Sequence, residues 1–108
     1  MVGSIEEFFT GLQAKLGGDK IAGMTATFQF EATGDGGGDW AVKIADGAGE
    51  VTQGKAEDPT IVLTATAEDW LAIMNGDMNG QTAFLTGKLK IQGDMTLAMQ
   101  LESLFDLG

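Results

Sequence analysis

The sequence predicts an α+β fold: a five-stranded mixed sheet with helices on one face, built as a single domain over residues 1–108. Three observations carry this. Met24 to Ala32 alternates cleanly, and an Asp46-Gly47 turn signal follows the second strand. A β-branched run, Thr60 to Thr66, follows a polar break ending in Pro59. Apolar residues at helical spacing occupy both ends of the chain. The order is helix, three strands, crossover, strand, helices, strand, helix. Consecutive hairpins followed by a crossover make a sheet with both parallel and antiparallel pairs.

The first helix is expected over Ser4 to Leu16. Ser4 and Glu7 form a capping box, Ile5, Phe8, Phe9, Leu12 and Leu16 give one apolar stripe, and Gly17-Gly18 stops it. Met24 to Ala32 alternates, with Met24, Ala26, Phe28, Phe30 and Ala32 inward. Thr25, Thr27, Gln29 and Glu31 make a solvated polar face. The glycine-rich loop from Thr33 to Asp39 lacks the Lys-Ser/Thr ending of a phosphate cradle, so it reads as a hairpin connection. Trp40 to Ala45 is the second strand and Glu50 to Gln53 a short third strand at an edge. Pro59 is expected to hold Asp58 extended. Thr60 to Thr66 is the fourth strand, with Ile61, Leu63 and Ala65 inward and Val62 the apolar exception outward.

Thr66 caps the next helix, whose buried side is Trp70, Leu71, Ile73 and Met74, and Asn75-Gly76 ends it. Asn79 caps a short helix through Phe84-Leu85. Lys88 to Gly93 alternates as the fifth strand, between turns at Gly87 and Gly93. The last helix carries Leu97, Ala98, Leu101, Leu104 and Phe105 as its core stripe.

Composition removes several classes of function. The 108 residues contain no cysteine, histidine or tyrosine. Disulfides, Cys/His metal sites and histidine bases are therefore excluded, and no carboxylate pair has a spacing suited to acid–base work. Neither catalytic nor metal-ligating residues are expected, nor any cofactor. A net charge of −10 opposes nucleic acid and anionic membranes, leaving at most transient or apolar membrane contact. No apolar run approaches a membrane span, no secretory leader is visible, and Asp106-Leu107-Gly108 is no peroxisomal address, so a cytoplasmic location is expected.

The run Met74-Asn75-Gly76-Asp77-Met78-Asn79-Gly80-Gln81-Thr82-Ala83-Phe84 stands before Gly87-Lys88-Leu89-Lys90-Ile91-Gln92-Gly93-Asp94-Met95 and Leu97-Ala98-Met99-Gln100-Leu101. With Trp40-Ala41-Val42-Lys43 and the Asp46-Gly47-Ala48-Gly49 turn, this order resembles the sterol carrier protein 2 family, in the style of a stand-alone, acidic, prokaryotic-like member. Gly80 departs from it, since the family commonly has proline there. The resemblance implies a non-catalytic lipid carrier with an apolar tunnel between sheet and helices. A fatty acid, fatty acyl-CoA or sterol would be its ligand, and the chain a monomer or weak dimer.

On that reading the lipid-binding candidates are Phe9, Phe30, Ile44, Trp70, Met74, Phe84, Leu89, Ile91, Met95, Met99, Leu104 and Phe105. Core packing also accounts for those on the sheet and helix faces. Met95, Met99 and Leu107 lie off the core stripe of the last helix. They are expected either to line a tunnel mouth or to form an interaction or dimerisation face without ligand.

Overall fold

A computed structural model describes residues 3–15 and 23–98. The sheet order is β3-β2-β1-β4-β5, from β1 (Ala26–Thr33), β2 (Gly38–Ala45), β3 (Ala48–Gln53), β4 (Ile61–Thr66) and β5 (Lys90–Gly93). β1 pairs antiparallel with β2 and parallel with β4, so the sheet is mixed as expected. Register puts Phe28 beside Val42 and Ile61, and Phe30 beside Trp40 and Leu63. These side chains share one face and form one apolar cluster with Ile5, Phe9 and Leu12 of α1 (Ile5–Lys15). α2 (Ala67–Met74) adds Trp70, Ile73 and Met74, and α3 (Gly80–Leu85) adds Ala83.

Local chemistry sets the element ends. The Ser4 hydroxyl accepts the Glu7 N–H, but the Glu7 carboxylate accepts from Gly3 rather than closing the box on Ser4. Thr66 and Asn79 cap α2 and α3 as their sequences require. Asp46 and Gly47 both have positive φ, 55° and 77°, the form of a two-residue hairpin turn whose twist suits the strands. β5 begins at Lys90 rather than Lys88, because Lys88 and Leu89 donate their N–H groups back to Ala83 O and close the end of α3. Gly93 has no substitute: a Cβ there would stand 2.5 Å from Thr60 O. The expected stop at Gly17-Gly18 lies outside the described residues.

Two expectations for the connection between β3 and β4 fail. Asp58 is not extended; its φ is 49°, a left-handed conformation that a short polar side chain tolerates. Gln29 is not solvated but only 2% exposed. The reason is topological. β3 and β4 lie three strand spacings apart, about 14 Å, and residues 54–60 must cross the outer face to join them. Gln29 lies beneath that crossing. Its amide donates to Trp40 O and Gly54 O, both at 3.2 Å, and its oxygen accepts from Ala56 N at 2.7 Å. A buried amide with its polar atoms paired avoids the penalty that makes such burial rare. Glu31, expected in solvent, is half-buried and accepts from the Thr64 hydroxyl at 3.3 Å.

At the β3 edge, Gln13 of α1 donates to Gly49 O at 2.9 Å and accepts from Val51 N at 2.7 Å. One amide thus stands in for a neighbouring strand and removes two open ladder groups from the edge.

Candidate functional site

The interior between sheet and helices differs from one end to the other. Under α1 and α2 it is aromatic and filled. Phe9 stacks on Trp40 with centroids 5.2 Å apart and an interplanar angle of 12°. It also meets Phe30 at 5.1 Å, and Phe30 meets Trp70 edge-on at 5.4 Å. The Trp70 indole N–H, buried with its ring, donates to Glu31 O at 2.9 Å, so the large side chain is held at a polar point as well as an apolar one. Phe9 and Trp70 are each 1% exposed.

The other end is built from α3, β5 and the helical turn 95–98. Asn79 starts α3 and a Schellman stop ends it: Gly87, φ 81°, donates to Phe84 O and Lys88 donates to Ala83 O. Six residues give one turn and a half, enough to bury only Ala83 fully. Phe84 is therefore left 38% exposed and Leu85 74% exposed. Beyond β5, Asp94 starts the next helical turn, its carboxylate accepting from Thr96 N at 2.9 Å. Met95 in that turn is 45% exposed, while Leu97 and Ala98 pack half-buried on the core. Met78 and Ile91 are half-buried against the same core cluster.

Each sequence candidate can now be placed. Phe9, Phe30, Ile44 and Trp70 lie in the filled interior. Met74 and Leu89 are buried in the same core cluster. Ile91 is half-buried, and Phe84 and Met95 are exposed. Phe84 was expected to face the sheet but stands in part outside it, because so short a helix presents few inward positions. Met99, Leu104, Phe105 and Leu107 lie outside the described residues. Sequence reasoning left out Trp40, although its alternation with Val42 and Ile44 carried the signal. It also left out Met78, which has no periodic context. Among the described residues no group of three acidic, histidine or cysteine side chains is disposed to hold a metal ion.

Chemically, the described residues of such a site offer apolar contact. Comparison with known proteins accords with this. Residues 5–106 match the SCP-2 sterol transfer family. The chain is 40% identical over 85 residues to sterol carrier protein 2 of Bos taurus, covering 79% of this chain and 16% of that protein. It is 33% identical over 105 residues to hydroxysteroid dehydrogenase-like protein 2 of Homo sapiens, covering 96% of this chain and 25% of that protein. The chain thus spans a quarter or less of these curated relatives.

Among solved structures, sterol carrier protein domain 2 of Helicoverpa armigera superposes with a TM-score of 0.77 at 30% identity, covering 98% of this chain and 92% of the other. Palmitated SCP2L2 from Aedes aegypti gives 0.74 at 26% identity, with 95% of each chain covered. These matches favour a lipid-binding module over an interaction face without ligand. A five-stranded mixed sheet, helices gathered on one apolar face and a match from residue 5 to 106 place the chain in the SCP-2 sterol transfer family.

Proposed function

We propose that this protein carries a long-chain lipid, a fatty acid or its thioester before a sterol, and admits it at the margin between α3, β5 and the turn 95–98. One observation supports the reading above others. Phe84 and Met95 leave apolar surface exposed, while Ile91 and Leu97 pack half-buried on the core cluster. The sixteen-carbon chain on the Aedes aegypti relative fits the same preference.

Apolar contact suffices for useful affinity. At about 0.8 kcal/mol per buried methylene, a palmitoyl chain gains on the order of 10 kcal/mol gross. Association costs remove roughly half, which leaves micromolar binding. The carrier acts as a monomer or weak dimer and performs no chemistry itself. In the longer relatives, any dehydrogenase reaction belongs to other parts of those proteins.

Native mass spectrometry of detergent-free protein tests this, with displacement of a fluorescent fatty acid by palmitate. One bound palmitate per chain and micromolar displacement are expected. Saturating palmitate that changes neither mass nor fluorescence overturns the proposal.

A further inference from the structure

We infer that the acidic surface of this protein sorts lipids by the charge of their head group. It takes the free fatty acid or an uncharged ester and refuses the coenzyme A thioester, and Asp77 and Asp94 contribute most to the refusal. This rests on the carrier reading, which leaves acid and thioester as alternatives. Both present the same hydrocarbon to the core. They differ in what stays outside: a single carboxylate in one, several phosphate charges in the other.

The composition does not suit those phosphates. The net charge is −10 and all six basic residues are lysines, so the chain lacks the planar fork with which arginine grips phosphate. Local charge has the same sign. Asp77 immediately precedes Met78, and Asp94 immediately precedes Met95. Both aspartates are exposed, and backbone hydrogen bonds fix both positions: Asp77 N donates to Ala72 O at 2.8 Å and Asp94 N to Thr60 O at 3.3 Å. The basic residues between them are Lys88 and Lys90. Lys90 pairs in register with Thr64, whose hydroxyl donates to Glu31, so it belongs with an acid on the face opposite the helices. That leaves Lys88 as one exposed cation against two exposed acids.

Screening decides how far the rest of the charge counts. The molecule measures 33 × 25 × 25 Å. The screening length is about 30 Å at 0.01 M salt and about 3 Å at 1 M. In dilute buffer a head group anywhere on the surface therefore feels most of the net charge. In concentrated salt it feels only its immediate neighbours. The repulsion grows with the charge brought up, so a polyanion loses several times more than a monoanion.

Displacement of a fluorescent fatty acid from the full chain tests this, with palmitate, palmitoyl-coenzyme A and uncharged 1-palmitoylglycerol as competitors. In 0.01 M salt palmitoyl-coenzyme A is expected to bind about tenfold or more weakly than palmitate, and in 1 M salt the gap should close to about threefold or less. The double variant Asp77→Asn, Asp94→Asn should raise palmitoyl-coenzyme A affinity about threefold in dilute salt and leave 1-palmitoylglycerol unchanged. Asparagine keeps a capping oxygen for Thr96 N, so the turn at Asp94 persists. Glu6→Gln with Glu7→Gln on α1 removes the same charge and should do less. Palmitoyl-coenzyme A that binds as tightly as palmitate in dilute salt, or a gap that salt does not narrow, overturns sorting by charge. An unchanged ratio in the Asp77, Asp94 variant, or an equal gain from the α1 pair, overturns the role given to those two residues. Absence of binding by palmitate and 1-palmitoylglycerol alike defeats the carrier reading, and sorting by charge falls with it.

Discussion

The two ends of the interior are made from the same kinds of residue and behave differently. Under α1 and α2, Phe9, Phe30, Trp40 and Trp70 contact ring to ring. Around α3 and β5, Phe84, Met95 and Ile91 remain partly or largely open. Element length accounts for much of the contrast. α1 spans three turns and β1 and β2 eight residues each, whereas α3 has six residues and β5 four. Long elements bring enough inward positions to complete a core, and short ones leave apolar surface unmatched. Ring-to-ring packing and unmatched apolar surface thus fall in different parts of one cluster.

The largest expected effect lies at the filled end. Phe30→Ala should cost about 3–5 kcal/mol in urea unfolding, because it opens a cavity among Phe9, Phe28 and Trp70 that these large rings cannot close. A loss below about 1 kcal/mol would show that this end is loosely packed, and the contrast would break. Gln29→Leu comes next, at roughly 1–3 kcal/mol, since Ala56 N, Gly54 O and Trp40 O lose their partner beneath the crossing segment. Limited proteolysis at residues 54–60 should accelerate with it.

Asn79→Ala should cost about 1 kcal/mol by freeing the Gln81 and Thr82 N–H groups. Hydrogen exchange over 80–85 should quicken while β1 stays protected, which separates the ends in one measurement. Phe84→Ala sharpens the comparison most. Stability should fall by less than about 1 kcal/mol because the ring is already partly exposed, whereas palmitate affinity should fall about fivefold or more. Equal loss of both would make Phe84 an ordinary core residue.

Much of the fold was legible. Alternation at Phe28 and Phe30, the Asp46-Gly47 turn, and the Thr66 and Asn79 caps are local signals, and each appears where local chemistry requires it. Gln29 was not legible. Its alternation places it on the outer face, correctly, but burial of that face depends on where residues 54–60 cross, a fact of strand order and not of neighbouring sequence. Asp58 failed for a related reason, since the crossing segment has to turn into β4 and the preference of a residue before proline yields to that turn. Gln13 shows the same in reverse: a polar residue on the outward side of a helix becomes a partner for the β3 edge only when α1 is laid beside it.

For the candidate site the division is sharper. Apolar residues with the right alternation are visible in the chain, so Phe9, Phe30, Trp70, Phe84, Ile91 and Met95 could all be nominated. Periodicity reports only which way a side chain faces. It says nothing of how much protein stands opposite.

The amino-acid sequence by itself determined the element types, their caps and turns, and the net charge of −10, because those follow from interactions within a few residues or from summed composition. Tertiary structure alone decided which apolar side chains were matched and which were left over, because matching requires two surfaces distant in the chain to meet. Phe30 found Phe9 and Trp70 across the layer, whereas Phe84 kept part of its ring in solvent.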